Sequence, residues 1–262
     1  MRTLTSQGVT LHIQTDGPDD GRVVMFGNSL GTDLRVWDPM LPYLPEGLRL
    51  VRFDKRGHGL SDCPQPPYAI DTLVSDAEAV IDALGLRDVT FVGLSIGGLI
   101  GQGIAARRPD VIRALVLMDT CHKIGTPEMW QDRIAAVQAD GLAGMADAIL
   151  DRWFAPEMRN DPVRVAPWRN MLSRTPNDGY IGCCAALAEA DFTGATSGLV
   201  IPVMAMAGSE DGSTTPDMVQ STAALCNAAF HVIPDVGHLP CVEAPEHAGA
   251  LIRDFLEDTR DV

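Results

Sequence analysis

Short runs of aliphatic and β-branched residues at 10–15, 22–26, 48–53, 89–93, 112–118, 202–207 and 230–233 alternate along the chain with longer stretches of helical periodicity. Several runs are almost wholly apolar, as strands covered on both faces must be. The recurring order of strand, turn and helix predicts a mostly parallel sheet flanked by crossover helices, an α/β architecture. Leu73, Ala77, Val80, Ile81 and Leu84 fall on one helical face, with Asp71 or Thr72 as the expected N-cap and Gly85 as the stop. A second helix is expected from just after Ser95 to Arg108, where Pro109 ends it.

The rhythm breaks after Asp119 and resumes near Val200. The residues between read as short helices set off by Pro127, Pro156, Pro162, Pro167 and Pro176. This predicts a helical cap at 120–199 inserted into a core made of 1–119 and 200–262. Trp130, Ile134 and Val137 share one face of the cap, as do Ile149, Leu150 and Trp153. Such stripes mainly pack, with one or two members reaching a ligand.

A length of 262 residues suits one domain with an insertion, and 46% hydrophobic against 21% charged residues is ordinary for a globular enzyme. The formal charge of −15 repels phosphate backbones and anionic lipid, which argues against nucleic-acid and membrane partners. No apolar run reaches membrane-spanning length, and Met1 to Gly8 lack a basic segment followed by an apolar one. The six cysteines show no Cys-x-x-Cys spacing, so a reduced, cytoplasmic setting is expected. A homo-oligomer is compatible with this composition.

Gly93-Leu94-Ser95-Ile96-Gly97 follows a predicted strand and opens a predicted helix, the surroundings required of a Gly-x-Ser-x-Gly nucleophile elbow. This points to the α/β-hydrolase fold with Ser95 as nucleophile. A serine hydroxyl needs a base, and chain order in this fold runs serine, acid, histidine. That order leaves His122, His231, His238 and His247. His231 falls inside a strand and His247 inside a helix, whereas His238 lies in the turn Val236-Gly237-His238-Leu239-Pro240 after the last strand, and it is the expected base. The acid belongs after the strand at 202–207, where Asp211 is the choice and Glu210 the runner-up. The oxyanion hole is expected from the backbone N–H groups of Ile96 and Leu30, with Ser29 beside the substrate. His58, in a glycine-rich turn with paired charges, reads as structural.

These segments resemble the 3-oxoadipate enol-lactonases of aromatic-compound breakdown over nearly the whole chain. The resemblance rests on Asn28-Ser29-Leu30-Gly31-Thr32-Asp33-Leu34 with Trp37-Asp38, and on Arg52-Phe53-Asp54-Lys55-Arg56-Gly57-His58-Gly59. It continues through the serine elbow, Lys123-Ile124-Gly125-Thr126-Pro127 with Trp130, Gly179-Tyr180 with Cys183-Cys184-Ala185-Ala186, and Gly237-His238. It implies Ser95, Asp211 and His238 as the triad and Trp130 as a cap residue facing the ligand. The chain departs from the family pattern at Cys121-His122, where small residues are usual, and at Ala188, where a basic residue is common.

The implied substrate is a small anionic enol-lactone, hydrolysed without metal or organic cofactor. Its approach to so acidic a chain calls for local positive charge, and Lys123, Arg133 or His122 is expected to supply it at the cap mouth. Two rival readings are a small-ester hydrolase of the same fold and a non-catalytic ligand-binding member. A dehalogenase is disfavoured, because that chemistry uses a carboxylate where Ser95 stands.

Overall fold

A computed structural model describes residues 2–260, so residue 1 and residues 261–262 of the expected core lie outside the described residues. Eight strands join in one sheet in the order β1-β2-β4-β3-β5-β6-β7-β8. They are β1 (Arg2–Ser6), β2 (Val9–Asp16), β3 (Arg22–Gly27), β4 (Leu48–Phe53), β5 (Val89–Leu94), β6 (Ile112–Met118), β7 (Val203–Gly208) and β8 (Ala229–Ile233). The pairs from β4–β3 to β7–β8 are parallel, and β1–β2 and β2–β4 are antiparallel. Burial follows position. Every residue of the central strands β5 and β7 is buried, whereas β2 alternates along its first half. The polar stretch Arg2–Ser6 has a single aliphatic residue, Leu4, and no apolar pattern marks it as a strand. Its pairing with β2 and the Ser6 hydroxyl donating to Asp76 at 2.8 Å hold it in place.

The helices are α1 (Ile70–Leu84), α2 (Ile96–Arg107), α3 (Pro127–Trp153), α4 (Pro156–Arg159), α5 (Pro162–Ser173), α6 (Asn177–Glu189), α7 (Thr193–Ser197), α8 (Pro216–Leu225), α9 (Pro240–Glu243) and α10 (Pro245–Asp258). The first starts earlier than expected. Ala69 is its N-cap and Asp71 falls inside its first turn, because Thr72 and Leu73 both donate to Ala69 O. Gly85 ends it with φ of 60°, as anticipated. In α2, ten of the twelve residues are buried, which places it against β3, β5 and β6 with α1 and α7 on its flanks.

Helices α3 to α7 fill the interval between β6 and β7. α3 breaks at Gly141, whose φ of 67° lies outside helical space, and α6 packs along it. Its buried residues are Trp130, Val137, Leu142, Ala146, Ile149, Leu150 and Trp153, so the two apolar stripes turn inward except at Ile134, which is half-buried. α7 returns to the core, where Thr196 Oγ1 and the Gln102 side chain lie 2.5 Å apart.

Candidate active site

Ser95 sits between β5 and α2 with φ of 57° and ψ of −122°. Such a backbone costs a non-glycine residue about 1–3 kcal/mol and persists only where the surroundings impose it. Here the Ser95 N–H donates to Met118 O at 3.0 Å and Thr120 Oγ1 donates to Ser95 O at 2.7 Å, tying the turn to the end of β6. A Cβ on Gly97 would lie 2.0 Å from Gly27 O, and one on Gly93 would lie 2.5 Å from Gly97 O. The two glycines therefore let β3, β5 and α2 converge beneath the serine.

Asp211 and His238 meet as expected, with Nδ1 at 2.8 Å from Oδ2. Asp211 Oδ1 accepts from the N–H groups of Ser213 at 2.6 Å and Thr214 at 3.1 Å, and Oδ2 accepts from the Thr214 hydroxyl at 2.7 Å. Burial opposes ionisation of this carboxyl, but the neighbouring imidazole and these hydrogen bonds hold it below the usual carboxylate range. Glu210 is exposed, and its N–H closes the loop onto Val236 O at 2.8 Å, so of the two candidate carboxylates it is Asp211 that contacts His238. With Nδ1 bonded to the carboxylate, Nε2 is left as the accepting nitrogen. Neither Nε2 nor the Ser95 hydroxyl makes a hydrogen bond among the described residues, and both residues line one cavity.

The loop after β3 lies across that cavity. The amides of Leu30 and Ile96 are without hydrogen-bond partners among the described residues, whereas the Gly31 N–H donates to His58 Nε2 at 3.0 Å. Burial keeps His58 well below the usual histidine range, hence neutral and able to accept. Lys55 Nζ donates to Ser29 O at 2.6 Å and to Thr32 O at 3.2 Å, and burial pushes its ammonium down to about 8. The Asn28 amide donates to Phe53 O at 2.8 Å and accepts from the Trp37 indole at 2.7 Å. The charged turn after β4 is thus a cradle for the loop that carries Leu30, which is the structural role expected of His58.

The cavity measures about 90 Å³. Ser29, Leu30, Trp130 and Arg133 line it, as anticipated; Trp130 is held by its indole N–H donating to Ile124 O at 2.6 Å. Lys123 and His122 do not. Lys123 pairs with Asp191 at 3.1 Å, and His122 Nδ1 lies 2.9 Å from the Thr222 hydroxyl. The added cation is Arg152, which precedes Trp153 and lies one helical turn after Ile149. The stripe around it was read as packing, although residues at positions i, i+3 and i+4 share a face with it. Arg133 is half-buried, with its Nη1 at 3.4 Å from the Tyr180 hydroxyl. Neither Arg133 nor Arg152 has a carboxylate within salt-bridge distance among the described residues.

Glu243 ties the junction of α3 and α4 to the turn that carries His238. Its Oε1 accepts from Gly237 N–H at 2.9 Å and its Oε2 from Ala155 N–H at 2.8 Å, while His238 N–H donates to Trp153 O at 2.6 Å. Burial raises its carboxyl to about 7 against these amide bonds. A folded-state value above the ordinary 4.5 means that the native chain keeps a proton the unfolded chain releases, so stability falls as pH rises from 4.5 to 7. The effect is on the order of 1–3 kcal/mol, or several degrees of melting temperature. Glu243→Gln is expected to narrow the difference between melts recorded at acid and neutral pH, and an unchanged difference would refute the assignment.

Among the described residues, the one group with ligand atoms close enough to hold a metal is Asp119, Asp211 and His238, all within 4.8 Å of one another. Asp211 and His238 are already joined to each other. No helix among the described residues is long and apolar enough to cross a membrane.

A family model described as alpha/beta hydrolase fold matches residues 22–245. The 3-oxoadipate enol-lactonase 2 of Acinetobacter baylyi is 37% identical over 93% of this chain and 92% of its own length. The crystal structure of the enol-lactonase from Burkholderia xenovorans LB400 superposes with a TM-score of 0.94 at 33% identity, covering 98% of this chain and all of that one. A malate-bound thermophilic esterase from Thermogutta terrifontis superposes with a TM-score of 0.90 at 26% identity, covering 98% of this chain and 97% of the other. With relatives this similar along almost its full length, the chain belongs to the α/β hydrolase fold family, in the company of the 3-oxoadipate enol-lactonases, and is a carboxylic ester hydrolase.

Proposed function

We propose that the chain opens the ring of 3-oxoadipate enol-lactone, or a close carboxylated enol-lactone, through an acyl-Ser95 intermediate, with His238 as base and Asp211 as its orienting acid. The carrying observation is that one small cavity holds Ser95, His238 and two arginines with no carboxylate partner among the described residues. A guanidinium left without a carboxylate beside a nucleophile suits a substrate that brings its own. Such local charge matters in a chain of net charge −15, since distant charges are screened beyond about 8 Å at physiological salt.

In this reading His238 Nε2 takes the Ser95 proton as Oγ attacks the ring carbonyl, and the Leu30 and Ile96 amides receive the negative oxygen. Collapse breaks the ring carbon–oxygen bond. The imidazolium gives its proton to the departing enolate, which is a better leaving group than an alkoxide, and tautomerisation of the resulting enol to the ketone disfavours reclosure. Neutral again, His238 takes a proton from water as the water attacks the acyl carbonyl, and it returns that proton to Ser95 Oγ as the carbon–Oγ bond breaks and the oxo-diacid leaves. Chain, substrate and water supply every proton and electron pair.

The test compares the enol-lactone with its methyl ester. A charge-assisted hydrogen bond is worth about 1.5–3 kcal/mol, or roughly 10–100-fold. Arg133→Ala is expected to lower kcat/KM for the free acid across that range, and Arg152→Ala, at the more exposed position, to lower it less. The methyl ester should be nearly indifferent to both. Equal cleavage of acid and ester, unaltered by either variant, would replace this reading with a general small-ester hydrolase of the kind represented by the esterase relative.

A further inference from the structure

The residue directly after β6 is not used by this mechanism, yet it lies against the proposed relay. Asp119 is fully buried and has φ of 42°, left-handed space that an aspartate occupies at a cost. Its N–H donates to Met206 O at 2.9 Å, and its Oδ1 accepts from Gly208 N–H at 2.9 Å, so it binds the end of β6 to the loop leading to Asp211. Its Oδ2 is buried and has no hydrogen-bond partner among the described residues. The Asp119 carboxyl lies in one cluster with the Asp211 carboxylate and the His238 imidazole, an oxygen or nitrogen of each within 4.8 Å of the others, and close enough to Asp211 to share a hydrogen bond with it.

Two buried carboxylates at this separation cannot both ionise cheaply beside a neutral imidazole. Asp211 already accepts from His238 Nδ1, two amides and one hydroxyl, which favours its charged form. Asp119 accepts a single amide hydrogen bond. A buried oxygen left unsatisfied costs about 1–3 kcal/mol as an acceptor, and that cost is removed when it carries a proton and donates.

We propose that Asp119 is a positioning residue held as the neutral carboxylic acid, whose Oδ2–H donates to Asp211 and completes a chain running from Asp119 through Asp211 to His238. This rests on the reading of Asp211 and His238 as the catalytic relay. The proton on Asp119 stays there throughout turnover, so no atom or charge is transferred. Its hydrogen bond fixes the Asp211 carboxylate and lowers its basicity, leaving the proton taken from Ser95 on the imidazole. The groups facing Asp119 are Asp211 on the loop after β7, His238 on the loop after β8, and Cys241 and Glu243 on α9. Burial and the Asp211 charge both push its carboxyl well above the ordinary range.

Asn can imitate the proposed acid, donating from Nδ2 to Asp211 and accepting from Gly208 N–H through Oδ1; Leu can do neither. Asp119→Asn is therefore expected to keep kcat within about three-fold and to leave the acid limb of the kcat/KM profile in place. Asp119→Leu is expected to lose roughly 10–100-fold in kcat with KM little changed, the range of one charge-assisted hydrogen bond. An ionised Asp119 would instead support the imidazolium, so that Asp119→Asn would move the acid limb down by about one pH unit or more. Infrared difference spectra of resting protein with ¹³C-carboxyl aspartate give a readout independent of turnover and of Asp119→Leu folding. A protonated-carboxyl band at neutral pH, absent from Asp119→Asn, is the expected result. No such band, or a shifted acid limb, overturns the proposal. Failure of the relay itself shows separately, as a Ser95→Ala or Asp211→Asn variant with normal turnover.

Discussion

Ser95→Ala is expected to abolish turnover of the enol-lactone, with kcat falling by on the order of 10⁶, the loss seen where a serine and its base act as a unit. The hydroxyl is the only atom of the side chain that the proposed chemistry needs. Removing it leaves Cβ in place, so the strained backbone at φ of 57° is preserved and the fold should survive. Stability and substrate binding are therefore expected to change little while chemistry stops. An activated fluorophosphonate should label the native chain at Ser95 and leave Ser95→Ala unlabelled. Labelling elsewhere, or residual kcat within ten-fold of native, would remove Ser95 from the mechanism.

Asp211→Asn is expected to be the next most damaging change, costing roughly 10³–10⁴ in kcat with a near-native melting temperature. Asparagine fills the same volume, but its NH₂ group would face His238 Nδ1 unless the amide turns over. An amide donor there favours the tautomer with the proton on Nε2, which cannot accept from Ser95. The amides of Ser213 and Thr214 keep only the amide oxygen as acceptor, and the Thr214 hydroxyl can reverse its role. Glu210 cannot substitute from its exposed position. Stopped-flow measurement of lactone loss, with circular dichroism as the control on folding, separates a relay defect from a misfolded chain. A rate equal to native would take Asp211 out of the relay.

The functional consequence of the fold lies in how few elements carry the site. Ser95 and Ile96 come from the β5–α2 turn, Leu30 from the loop after β3, Asp211 from the loop after β7 and His238 from the turn after β8. All follow the C-terminal ends of parallel strands that are hydrogen-bonded neighbours or nearly so. The cap contributes the charged and aromatic lining, Trp130, Arg133, Arg152 and Tyr180, and His238 N–H is anchored on Trp153 O at the end of α3. The same helix that lines the cavity thus also helps hold His238 in place.

The amino-acid sequence by itself determined the parallel core, the strand-turn-helix setting of Ser95, and the placing of His238 in the turn after the last strand. Each is written in local periodicity or in residues a few positions apart, and strand burial, glycine-enforced close approach and chain order translate them directly into position. Edge strand β1 was invisible because its polar residues carry no pattern until β2 pairs with them. Which of Asp211 and Glu210 reaches His238 depended on which way one loop turns, and the amides of Ser213 and Thr214 hold the Asp211 carboxylate inward. The choice of cation was also tertiary. Lys123 looked equal to Arg133 along the chain, but Asp191, sixty-eight residues away, neutralises it outside the cavity, while the packing of α3 brings Arg152 inside. Asp119, an ordinary strand-end acid in sequence, acquired its unpartnered oxygen beside Asp211 only when β6 and β7 came together. Charges and carboxyl groups act through distances between segments, and no local pattern encodes those distances.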